Sequence, residues 1–157
     1  MHPSFSSLID QYLQGVEQLQ QAIAGMTPDQ LKERPIPDKW STLEVVVHIA
    51  DFEPILAERM KRIISHDRPL LMVADENLFL KDLAYESRDV HEEMTIIEAT
   101  RRQMGRILKK LSPEAAVRTG VHSQKGLVSL EAVLNSAVNH IPHHLKFIKE
   151  KREALKV

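Results

Sequence analysis

Cysteine is absent from the 157 residues. That excludes disulfides, thiolate zinc ligands and a cysteine nucleophile, so any thiol used in chemistry has to be supplied from outside the chain. It also suits a reducing compartment. No apolar run is long enough to span a bilayer. The start, Met1-His2-Pro3-Ser4-Phe5, lacks the basic residues and apolar stretch of a signal peptide. Charge of one sign is missing too: 21 Lys and Arg are scattered among 22 Asp and Glu, for a formal net charge of −1. Such a surface gives no electrostatic case for nucleic acid or for a membrane. The expectation is a cytoplasmic protein without either partner.

What is present is ordinary for a globular chain: 43% hydrophobic and 27% charged residues. The length fits one domain, residues 1–157, able to bury a core without metal or disulfide staples. Four segments carry helical periodicity. In the first, Phe5, Leu8, Ile9, Tyr12, Val16, Leu19, Ile23 and Met26 recur at three- and four-residue steps, with Pro3 near the start and Gly25 and Thr27-Pro28 closing it. In the second, Ser41 and Glu44 form a capping box before the stripe Val45, His48, Ile49, Phe52, Leu56, Met60, Ile63, which Pro54 interrupts. The third runs from about Ser87 through Val90, Met94, Ile97, Arg101, Met104, Leu108 and Leu111 to Ser112-Pro113. The fourth begins near Ser129 and buries Leu130, Val133, Leu134, Ala137, Ile141, His144, Leu145 and Ile148. Short helices fit Asp29–Lys32 and Glu76–Leu83 in the connections. No segment reads as a strand. Four stripes that must each be buried predict an all-α, four-helix bundle with unusually long connecting loops.

Three of the eight histidines fall in Asn139-His140-Ile141-Pro142-His143-His144. With Ala137 at the centre of the buried face, His144 lies about 20° away, His140 about 60° and His143 about 120° at roughly 100° per residue. His140 and His144 therefore point inward, one turn apart, while His143 faces the flank. His48 shares the stripe of Val45, Ile49 and Phe52 on the second helix. An inward imidazole is costly unless its nitrogens are satisfied, and hydrogen bonds to core groups satisfy a single one. Three brought together set lone pairs against one another, which a divalent cation resolves. Pro142 should bend the last helix without ending it, because Leu145 and Ile148 keep the period. The remaining histidines carry less: His2 is terminal, His66 ends a helix, His91 is surface, and His122 in the last loop is either exposed or at the mouth of a site.

Two stretches resemble the DinB superfamily. One is Lys39-Trp40-Ser41 leading into Val46-Val47-His48-Ile49-Ala50-Asp51-Phe52-Glu53. The other is Gly120-Val121-His122 through Gly126, followed by Asn139 to Leu145. Their order and separation match as well, so the resemblance covers most of the chain. It implies a four-helix bundle with a crossover arrangement, often a homodimer. It further implies a divalent ion, typically nickel or zinc, held by His48, His140 and His144. His122 and His143 resemble recurring family positions outside the ligand set. Some relatives transfer low-molecular-weight thiols or act as thiol-dependent isomerases, and some were linked to DNA-damage induction.

Three neutral ligands leave a metal with positive charge and an open position. That position can hold a water of lowered pKa or favour a thiolate. Asp51 is a candidate to orient a ligand imidazole or accept a proton, and equally a solvated partner of a Lys or Arg. His122 is a second catalytic candidate. Arg59, near the apolar face of the second helix, is a candidate for an anionic group of a cofactor or substrate, or for an ion pair. The leading expectation is transfer of a low-molecular-weight thiol to a small electrophilic substrate. Metal-dependent hydrolysis and a non-catalytic metal- or small-molecule-binding bundle are the alternatives.

Overall fold

Polar side chains start every helix. The structure is a computed structural model that describes residues 4–157, so His2 and Pro3 lie outside the described residues. Ser4 accepts from the Ser7 N–H to open α1 (Phe5–Ile23). Thr27 and Gln30 form a capping box on α2 (Pro28–Lys32), and Ser41 and Glu44 form another on α3 (Thr42–Ser65). Asp75 opens α4 (Glu76–Asp82), Asp89 opens α5 (Val90–Leu108) and Ser129 opens α6 (Leu130–Leu155). Each such cap is worth about 1 kcal/mol. Short 3₁₀ turns fill Tyr85–Ser87 and Pro113–Val117.

The four long helices α1, α3, α5 and α6 form a four-helix bundle. α1 packs against α5 and α6, and α3 packs against the same two. Hence α1 and α3 face each other across one diagonal, and α5 and α6 across the other. Arg152 near the end of α6 bonds the carbonyls of Ala22 and Ala24 at the end of α1, so these two run parallel. Asp10 pairs with Lys109, which sets α1 against α5 in the opposite sense. The long connections follow from this order. Two of them must cross a diagonal, and the one between the parallel neighbours α3 and α5 must return the chain along the bundle.

Three boundaries differ from the periodicity. α1 stops at Ile23, where Gly25 takes a φ of +78°. α5 begins at Val90 rather than Ser87, because Tyr85–Ser87 is a 3₁₀ turn and Asp89 supplies the cap. It ends at Leu108, short of Leu111. Pro54 and Pro142 both sit inside continuing helices.

The expectation of no strand is corrected, while the all-α four-helix bundle stands with one small sheet in its connections. Leu70–Leu71 (β1), Thr119–His122 (β2) and Gly126–Ser129 (β3) form a small sheet in that order. β1 pairs parallel with β2, and β2 antiparallel with β3. Strands of two and four residues are too short for alternation to show in a sequence. Gly120 permits the close approach: a Cβ there would lie 3.0 Å from Leu71 Cδ1 and 3.1 Å from the Pro69 carbonyl oxygen.

Among the largest fully buried side chains is Arg101 of α5, with no exposed surface. Its Nη1 donates to the Tyr12 carbonyl on α1 at 2.7 Å. Its Nη2 donates to Glu53 Oε1 on α3 at 2.5 Å and to the Ala137 carbonyl on α6 at 2.8 Å. The Tyr12 hydroxyl donates to the other Glu53 oxygen at 3.2 Å, and the guanidinium stands 4.5 Å from the Tyr12 ring centroid. Gly15 leaves the room: a Cβ there would stand 2.3 Å from Arg101 Nη1. Removing one partner of a buried ion pair strands the other charge, a loss of about 3–5 kcal/mol, whereas an apolar replacement of both can be nearly neutral. Urea denaturation should therefore show Arg101→Met destabilised by about 3–5 kcal/mol, and the double variant Arg101→Met, Glu53→Leu less destabilised than the single. A double variant worse than the single one would refute this account of the pair.

Candidate metal centre

The antiparallel pair α3 and α6 brings three histidines together. His48 comes from α3, and His140 and His144 from successive turns of α6. One ring nitrogen from each lies within 4.8 Å of the others. The Nε2 atoms of His48 and His140 are 3.0 Å apart. The ring centroids stand 4.8 to 5.0 Å apart at steep angles, so edges rather than faces converge.

The surroundings keep these rings neutral. His48 is 1% exposed and His144 9%. Burial pushes the His48 imidazole down to about 4, with nearby Asp51 partly opposing and His143 adding. Burial and then the neighbouring histidines push His140 down to about 2 and His144 to about 3. Near neutral pH each imidazole is uncharged and offers a lone pair. The Nδ1 atoms of His48 and His140 are buried with no hydrogen-bond partner, so only the Nε2 contact between the two rings bears on their tautomers. With the protons on Nδ1, the Nε2 lone pairs of both rings face the common centre. The 3.0 Å spacing is close to the roughly 3.4 Å between two nitrogens on a tetrahedral zinc. The donor set fits a borderline divalent cation such as zinc or nickel.

Aromatic rings wall the trio. Trp40 stands edge-on to His48 at 5.3 Å, Phe52 lies at 4.7 Å, and Phe79 packs on Phe52 at 5.6 Å. A cleft of about 350 Å³ reaches His144 between Trp40, Glu76, Phe147 and Lys151. Larger hollows, of about 520 Å³ between α1 and α5 and about 580 Å³ beside Arg59, contain none of the three histidines. Convergent ligands, not size, mark the site.

Glu76 escaped sequence reasoning. As the first residue of α4 it places Oε2 3.8 Å from His48 Nε2. Its only sequence signal was the start of a short helix, and nothing in the spacing tied that helix to His48. His143 is exposed on the flank and packs edge-on against His144 at 5.1 Å.

The other candidates have partners of their own. Both Asp51 oxygens accept from Arg88, at 2.8 and 2.9 Å, and Arg88 also bonds Glu93. Asp51 thus ties α3 to the start of α5 while remaining close enough to act on His48 electrostatically. His122 is not an exposed loop residue: it ends β2 and is buried. Its Nδ1 accepts from the N–H groups of Gln124 and Lys125, which puts its proton on Nε2, and burial, then Arg59 and Lys125, lower its pKa. Arg59 donates to the Met72 carbonyl at 2.6 Å, pinning the connection after β1 onto α3. His66 caps the end of α3, and His91 is exposed.

Comparison with known proteins gives a consistent result. A model of the DinB superfamily matches residues 11–148. The chain is 23% identical over 145 residues to "Putative metal-dependent hydrolase OB0782" of Oceanobacillus iheyensis, spanning 90% of this chain and 84% of that one. It is 25% identical over 146 residues to "Putative metal-dependent hydrolase YfiT" of Bacillus subtilis, spanning 90% and 82%. The solved structure of YfiT, described as "a probable metal-dependent hydrolase with an unusual four-helix bundle topology", superposes with a TM-score of 0.89 at 22% identity, covering 97% of this chain and 87% of that one. Among the described residues, no helix is long and apolar enough to cross a membrane.

Folded pKa values below the unfolded histidine value of about 6.5 mean that the unfolded chain binds more protons in mildly acidic solution. The stability of the metal-free protein should be full above about pH 6.5 and fall with each step toward about pH 5, before most carboxylates titrate. Thermal melts across that window should flatten in a His48→Phe, His140→Leu double variant. An unchanged slope in that variant would remove the buried imidazoles as its cause.

Proposed function

The chain belongs to the DinB superfamily, and from that premise we propose that it is a metal-dependent hydrolase of a small-molecule substrate, with a divalent ion held by His48, His140 and His144. The observation that carries the reading is the convergence of three uncharged imidazoles, one of which, His144, lines an open cleft beside Trp40 and Phe147. A divalent ion there would act as a Lewis acid and acidify a water or thiol entering the cleft.

The chain's own residues supply the rest. His48 and His140 would hold the ion from two different helices, their Nε2 atoms 3.0 Å apart. Trp40 and Phe52 exclude bulk water, which strengthens every charge interaction in the site. Glu76 is the carboxylate nearest the trio among the described residues, and its place at the cleft suits it to take the proton of an entering nucleophile. Asp51, held by Arg88, serves as a positioning residue for α3 and for the field at His48. The names of the two curated relatives support hydrolysis over thiol transfer.

Thiol transfer is the second reading, favoured by the apolar rings around the site, which suit a large, weakly hydrated sulfur anion. The thiol would come from a low-molecular-weight cofactor, since the chain has no cysteine. The same proposal takes nickel or zinc as the ion, the cytoplasm as the compartment and a homodimer as the assembly.

Elemental mass spectrometry on protein purified without an affinity tag should find one nickel or zinc per chain, lost in His48→Ala, His140→Ala and His144→Ala. Glu76→Gln should keep the ion and lose about 10²-fold or more in turnover of an ester, amide and phosphoester panel. Turnover that appears only with added thiol would select the second reading. Wild-type protein that takes up no divalent ion would overturn both.

A further inference from the structure

Lys151 is the one cleft residue whose charge is buried without a counter-ion. It is 3% exposed, and its Nζ makes a single hydrogen bond, 3.1 Å to the Phe147 carbonyl one turn back on its own helix. Among the described residues no carboxylate comes within 4.0 Å of it. A buried ammonium is costly unless paired, so a lone one beside an open cleft calls for a partner that enters from outside.

The cleft has the shape for such a partner. His144, Phe147 and Lys151 follow one another along α6 and all line it, with Trp40 among the residues opposite. From His144 to Lys151 the helix rises on the order of 10 Å, and the Phe147 bond folds Nζ back toward the trio by about one turn. Lys39 stands on the rim and adds positive charge at Lys151. Asp38, Glu76 and Glu150 also line the cleft, but all three are exposed, where water screens them; Lys151 is not. Glu44 and Glu150 act on Lys151 only from a distance, and Glu44 is committed to Arg34 and Ser41.

We propose that the substrate of this site carries a carboxylate on an apolar body, with Lys151 binding the carboxylate, Trp40 and Phe147 holding the body, and the reacting end directed at the three histidines. The assignment of the reacting end rests on the metal-site reading; the carboxylate subsite does not.

Trp40 is the only tryptophan in the chain, so its emission reports the cleft directly. The test is titration of metal-free wild-type protein with 3-phenylpropionate and with its neutral amide, 3-phenylpropanamide. Working without metal prevents the acid from binding an ion instead, and metal content of untreated protein is measured separately. The expected result is saturable change with the acid, little with the amide, and weakening of about tenfold or more in Lys151→Met. Relief of the lone buried charge should also leave Lys151→Met as stable as wild type or raise its Tm by about 2–4 °C. Equal affinity for acid and amide, or unchanged affinity in Lys151→Met, would overturn the subsite even where the protein holds its metal. A fall in Tm in both Lys151→Met and Lys151→Gln would make Lys151 a structural residue and overturn it as well. Acid binding in a protein that takes up no metal would keep the subsite and refute the metal centre.

Discussion

One guanidinium holds the four long helices at a common height. Arg101 leaves α5 and reaches the backbone of α1 and α6 and the carboxylate of Glu53 on α3. Helices that pack through aliphatic ridges alone can slide by a turn at small cost, whereas a charge buried among fixed carbonyls has one acceptable position. The three histidines depend on that position. Glu53 lies just beyond one turn after His48, and Ala137 one turn before Ile141, so the clamp and the trio occupy adjacent layers of the bundle. A shift of α6 by one residue against α3 would turn His140 and His144 away from His48.

The same region gathers several costly groups. Three uncharged imidazoles meet at steep angles, two of their nitrogens have no partner, and a lysine is buried on the same cleft. Elsewhere the buried carboxylates are matched: Glu44 with Arg34 and the Ser41 N–H, Asp51 and Glu93 with Arg88, Glu53 with Arg101 and Tyr12. What sets the trio and Lys151 apart is that their unsatisfied groups lie beside an open cleft, where something that binds can reach them. Membership of the DinB superfamily and the names of the curated relatives point toward a metal ion there.

The long connections serve the site as much as the topology. The segment before α3 carries Trp40, and the one after it carries Glu76 and Phe79; both lean over the end of the bundle where the histidines meet. The β-sheet and Arg59 pin the lower part of the second connection to α3, through Leu71, Met72 and His122. A short-looped bundle of the same four helices would leave the trio open to bulk water.

Much of this was legible in the chain. Helical phase picks His48, His140 and His144 from eight histidines, because a 3.6-residue period fixes which side chains share a face. The Ser41–Glu44 capping box and the continuation of α6 past Pro142 are likewise local matters. The strands, the buried state of His122, the Arg88 grip on Asp51 and the arrival of Glu76 at His48 were not legible. Each joins residues far apart in the chain through a connection whose path has no periodicity. Sequence by itself determined the helices and which faces they bury, since those follow from neighbours three and four residues apart. Tertiary structure alone decided what those faces meet, because the bundle's diagonal crossings and the buried Arg101 fix the register between helices.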